Sequence, residues 1–250
     1  MKIFCTYKKE YDKFLKEAVE YTIEMFGTQV NIEALEEIEL MDIKEFGYDT
    51  DGKTYDNGKK ILVTSRLYDM LPTLNISQLK SNNEFRLAIN TLFHEMGHAT
   101  DWLKMPRLYD TVMKAPKTRE GISALFWLEY LAEKRSSEQK YISFDEYCNN
   151  FSKGNWRAYK ANTNDLTEEN FHWLCKHLAY FMGRTTDLKK RKRYIQVMVN
   201  PLLKEFVGET EKELLRLQEE LPFDNVDKLR NLYEIINQYF IKFQKAYIPR

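Results

Sequence analysis

Two of the four histidines, His94 and His98, stand four positions apart with Glu95 directly after the first. On an α-helix, positions i and i+4 lie one above the other on the same face. Two imidazoles so placed can share one Zn²⁺, while a glutamate offset by about 100° is aimed beside the metal, toward the attacking water. His94-Glu95-Met96-Gly97-His98 thus has the H-E-x-x-H arrangement, in which histidines bind zinc and the glutamate acts as general base. The short-spaced continuation of this motif needs Gly at 101 and His at 104. Asp101 and Lys104 exclude it.

Such chemistry requires a helix that turns this face toward a site. Ser81 followed by Glu84 predicts a capping box, no proline intervenes before Lys104, and Pro106 marks a stop. The spacing predicts one helix over residues 82–104. Phe85, Ile89, Leu92, Met96, Ala99 and Leu103 fall on one side of it, the expected core stripe. His94, His98 and Asp101 cluster on the other, with Leu87 as the one large apolar neighbour. Asp101 has two readings beyond a solvated surface residue: direct ligation, or a hydrogen bond that fixes the tautomer of a ligating histidine.

A catalytic zinc takes three protein ligands and keeps one position open. The stretch from Ile122 to Ala132 is apolar almost all round and reads as a buried helix. Glu129 shares a side with Ile122, Leu125, Phe126 and Ala132, and nothing basic stands one turn before it. An ionised carboxylate there costs several kcal/mol unless it is paired or bound to a cation. Glu133, one turn later and nearer the polar end, is the rival; a salt bridge is the plain alternative for either.

His94-Glu-Met-Gly-His-Ala-Thr-Asp101, followed downstream by Glu129-Tyr-Leu-Ala-Glu133, resembles the glutamate-zincin metallopeptidases. These include the ImmA/IrrE-type peptidases of phages and mobile elements and the catalytic domain of anthrax lethal factor. The resemblance covers residues 60–138. It implies a single Zn²⁺ held by His94, His98 and Glu129, with Glu95 as general base. It also implies that Asp101 and Glu133 support the ligands from behind. After Ala132 the chain departs from the ImmA-like pattern, with Glu-Lys-Arg-Ser in place of more apolar residues. The implied activity is that of a zinc metalloendopeptidase on a protein or peptide substrate. The alternative is a zincin-fold regulatory or binding protein of a mobile element with vestigial hydrolysis.

An oxyanion donor is not marked by spacing; Tyr109, Tyr130, Tyr159, His172 and His177 stay open. His172, Cys175 and His177 have no fourth ligand nearby and read as helix packing rather than a second metal centre. Lys189-Lys-Arg-Lys-Arg193 is the one basic run, and it reads as a solvated helix face.

Composition sets the wider bounds. The 250 residues carry no net charge, which gives no global attraction to nucleic acid or to a membrane surface. Three widely spaced cysteines point to a reducing setting, and the N-terminus lacks an apolar leader core, so a cytoplasmic location is expected. No run approaches the roughly 18 apolar residues of a membrane span.

The expected fold class is α+β and predominantly helical. A zincin-like catalytic domain over 1–140, with a small sheet and the active-site helix, precedes a helical region over 141–250; the two can form one domain. Helices are expected near 9–26, 143–161, 166–184, 187–219 with a break at Pro201, and 224–246. Leu221-Pro-Phe-Asp reads as a turn before the last of these. Leu229, Leu232, Tyr233, Ile236, Phe240 and Phe243 form its core stripe. Strands are expected at 36–44 and 60–65, with turns at Asp51-Gly52 and Asn57-Gly58. The resemblance places the 60–65 strand beside the cleft, its edge open to an extended peptide.

Overall fold

The computed structural model describes residues 1–46, 51–69, 75–142, 167–185, 192 and 201–246. It is a mostly helical α+β fold with a small, open four-stranded sheet. By packing, the chain forms two compact units, Met1–Leu103 and Lys104–Arg250.

In the first unit the sheet order is β1 (Lys2–Cys5), β2 (Glu37–Met41), β4 (Lys60–Thr64) and β3 (Gly52–Tyr55). The first three strands run parallel, and β3 pairs antiparallel with β4. Helix α1 (Asp12–Phe26) carries the chain from β1 toward β2 and buries Phe14, Leu15, Ala18 and Val19. Short helices α2 (Ile43–Phe46) and α3 (Ile76–Leu79) precede the long helix α4 (Asn83–Lys104). Ile38, Leu40, Ile61 and Val63 alternate along β2 and β4 and are fully buried, as a half-covered sheet requires. Each such side chain contributes about 1.5–3 kcal/mol on leaving water.

The β3–β4 hairpin closes over Asp56, Asn57 and Gly58, all at positive φ. This is the expected Asn-Gly turn. Strands β1 and β3 have no counterpart in the sequence pattern. Each is four residues long and too short to show a period against its polar flanks. The expected strand over 36–44 stops at Met41 and gives way to α2. The 60–65 strand is internal, between β2 and β3, so it has no open edge. Among the described residues the open edge on that side belongs to β3.

In the second unit, α5 (Pro106–Lys114) and α6 (Arg119–Glu138) are followed by α7 (Glu168–Arg184), α8 (Pro201–Glu219) and α9 (Arg230–Ala246). Pro106 does end α4, but it also starts α5 at the position where a missing N–H costs nothing. Asp224 caps that helix from far along the chain, accepting from Arg107 N at 2.9 Å and Leu108 N at 3.1 Å. Thr118 and Thr167 cap α6 and α7 through Gly121 N and Asn170 N, each at 3.1 Å. Helix α8 begins at Pro201, the position of the expected break. The expected helix at 143–161, residues 187–191 and 193–200, Cys148, Tyr159 and most of the basic run lie outside the described residues.

The core of this unit is aromatic. Trp127 stacks on Phe223, Phe171 meets Phe240, and Phe206 stacks on Tyr239. On α9, Leu232, Ile236, Phe240 and Phe243 are buried as the 3.6-residue period requires; Tyr233 is only half-buried. The described residues contain no helix long and apolar enough to cross a membrane.

Candidate metal centre

Helix α4 is capped one residue later than expected. Asn82 Oδ1 accepts from Phe85 N at 3.1 Å, so Asn82 fills the role assigned to Ser81. Both residue types cap well, and the helix simply begins at Asn83. Phe85, Ile89, Leu92, Met96 and Ala99 are in the core as expected. Leu103 is not: it sits in the last turn of α4 and is 45% exposed. The opposite face is buried as well. His94, Glu95 and His98 are each less than 10% exposed, and Asp101 is 2% exposed.

What covers Glu95 is the β3–β4 hairpin, and two glycines allow it. A Cβ on Gly52 would sit 2.9 Å from Glu95 Cγ. Gly58, at φ +80°, would place one 2.9 Å from Trp102 Cβ and 3.1 Å from Ala99 O. Backbone therefore lies directly on the helix at both ends of the hairpin. Gly52 and Thr54 share the sheet face turned toward α4, because alternate residues of a strand face the same way. Thr54 Oγ1 lies 2.7 Å from Glu95 Oε2 and 2.9 Å from Glu95 O. On the same helix, Thr100 ties the chain entering β2 by accepting from Asn31 N at 2.8 Å.

The two histidine rings face each other edge-on, with Nε2 atoms 3.0 Å apart. Two nitrogens on one tetrahedral zinc, at about 2.0–2.1 Å each, are about 3.3 Å apart. The pair is thus nearly set for a shared ion. Glu129 lies on α6 and is 5% exposed. His94, His98 and Glu129 each offer one ligand atom, and the three atoms lie within 4.8 Å of one another. Two neutral imidazoles and one carboxylate form a donor set common in catalytic zinc sites. The residues fit the metal.

Glu129 also has a basic neighbour that sequence spacing did not reveal. Lys176, on α7, places Nζ 3.3 Å from Glu129 Oε1. Tyr180 and Glu129 together hold this ammonium protonated well above its ordinary range, against the opposing effect of burial. Lys176 and Tyr180 are four residues apart, a spacing visible in the chain, but nothing in it tied that face to Glu129. Glu133 is differently engaged. Arg184 Nε and Nη2 donate to its two oxygens at 2.9 and 2.7 Å, a bidentate pair.

The other candidates have plain positions. Tyr130 OH accepts from Gln218 Nε2 at 2.7 Å, and its ring stacks on Trp127. Tyr109 is buried on α5. His172 and His177 lie on α7, where burial lowers both imidazoles, His177 to about 4. Cys175 is fully buried between them, and burial pushes its thiol up. No family model matches the chain, and neither a curated protein nor a solved structure matches it. The site by itself is consistent with zinc binding of the kind found across the zincin-like metallopeptidases, without singling out one family.

Proposed function

We propose that the chain is a zinc-dependent metalloendopeptidase that hydrolyses peptide bonds in a protein substrate. The observation that carries this reading is the buried His94–His98–Glu129 cluster with Glu95 beside it on α4. Those three residues would hold the metal, and Zn²⁺ when bound supplies Lewis-acid polarisation of the water and of the scissile carbonyl.

The rest falls to the protein. Glu95 takes a proton from the attacking water through carboxylate lone pairs that Thr54 does not occupy, then delivers it to the departing amine. Asp101 steadies a ligating histidine, and Glu133 acts indirectly by anchoring the helix that carries Glu129. An extended peptide adds to the open edge of β3, whose other edge already pairs with β4. Residues 1–140 carry the chemistry, the helical region beyond supports it, and the setting is cytoplasmic.

Glu95→Gln tests this directly. With a pool of internally quenched peptides as substrate, hydrolysis is expected to fall by about 10²–10⁴-fold. Zinc content should not change. Undiminished cleavage by Glu95→Gln would remove the base from this mechanism.

A further inference from the structure

We infer that Thr54 is the positioning residue for Glu95. This inference rests on the peptidase reading, in which Glu95 is the base. A glutamate side chain turns about three bonds, and a general base is effective only when its oxygen is held at the reacting atoms. Thr54 supplies the restraint. Its hydroxyl has one hydrogen and two acceptors within reach: Glu95 Oε2 at 2.7 Å and Glu95 O at 2.9 Å. An ionised carboxylate is the stronger acceptor and takes that hydrogen. The backbone oxygen is already served by the helical N–H four residues on.

Gly52, two residues earlier on β3, brings the strand close enough for the Thr54–Glu95 bond. An added Cβ there would press on Glu95 Cγ at 2.9 Å and Oε1 at 3.0 Å.

The test compares Thr54→Val, Thr54→Ala and Thr54→Ser in the full chain, at one fixed pH. The first readout is the side-chain carboxyl ¹³C resonance of Glu95, identified by its loss in Glu95→Gln. It should shift in the Val and Ala variants and stay in place in the Ser variant. The second is hydrolysis of one internally quenched peptide. Val and Ala should lower kcat about 10- to 100-fold with KM nearly unchanged. Ser should restore most of the rate, and zinc content should be the same in all three. The Ala–Ser pair differs only in the hydroxyl, so the comparison survives if Val does not fold. A Glu95 resonance unmoved in Val and Ala, or moved equally in Ser, would overturn the inference. A wild-type chain that neither binds zinc nor cleaves peptide would instead count against the peptidase reading, and the resonance would still decide the role of Thr54.

Discussion

Buried carboxylates are treated in opposite ways in two regions of this molecule. Against the β3–β4 hairpin, Glu95 is met by a threonine hydroxyl and by glycine backbone. Between α6 and α7, Glu129 and Glu133 are met by cations, Lys176 and Arg184. A guanidinium donates to both oxygens of Glu133. A single hydroxyl reaches one oxygen of Glu95. The difference is between a carboxylate bracketed by a bidentate cation and one met by an uncharged donor. Glu129 lies between the two, with one ammonium contact at 3.3 Å and two imidazoles within ligand range.

The contrast is broken most severely at Glu133. Arg184→Met removes a bidentate guanidinium from a buried carboxylate and should cost about 3 kcal/mol, read as a lower denaturant midpoint. The guanidinium side chain is 22% exposed and the carboxylate side chain 4%, so the cost falls mainly on Glu133. Adding Glu133→Gln should recover much of that loss. Zinc stoichiometry should hold throughout, because Glu133 is not among the clustered ligand residues.

The cationic character of α7 can be sharpened through His177. Burial, then Lys176 and Arg184, lower its imidazole from 6.5 to about 4. The unfolded chain therefore takes up this proton first. The stability contributed by neutral His177 is whole above pH 6.5 and declines as the pH falls toward 4, where it is lost. Its size is at most about 3 kcal/mol. His177→Gln should flatten that part of the acid limb in pH-dependent melting. An unchanged limb would show that burial and the two cations do not lower His177 as described.

The smallest effect lies at the start of α4. Asn82→Ala should cost about 1 kcal/mol and Ser81→Ala much less. Equal losses would return the cap to Ser81.

What could be read from the chain follows the physical reach of each signal. His94, Glu95 and His98 were legible because their spacing is fixed by one helix. Glu129 was legible because an ionised group in an apolar stretch demands a partner. Lys176 escaped notice because its partner is distant in sequence and only the α6–α7 packing joins them. Thr54 escaped for a related reason: a threonine on a four-residue strand between two turns has no periodic signal. The one-residue error in the α4 cap reflects Ser81 and Asn82 being nearly equivalent capping residues. Short elements and cross-element partners are what local patterns do not encode.

Elemental analysis tests most directly whether Glu129 completes the metal site. Zinc per chain is measured for the wild type, Glu129→Ala and Glu133→Gln after identical purification. The double variant Glu129→Ala with Lys176→Met, which also removes the ammonium that faced the carboxylate, guards against loss through unfolding. The expected result is one zinc per chain in the wild type and in Glu133→Gln, and little or none in either Glu129→Ala protein. Full zinc in a folded Glu129→Ala chain would contradict it.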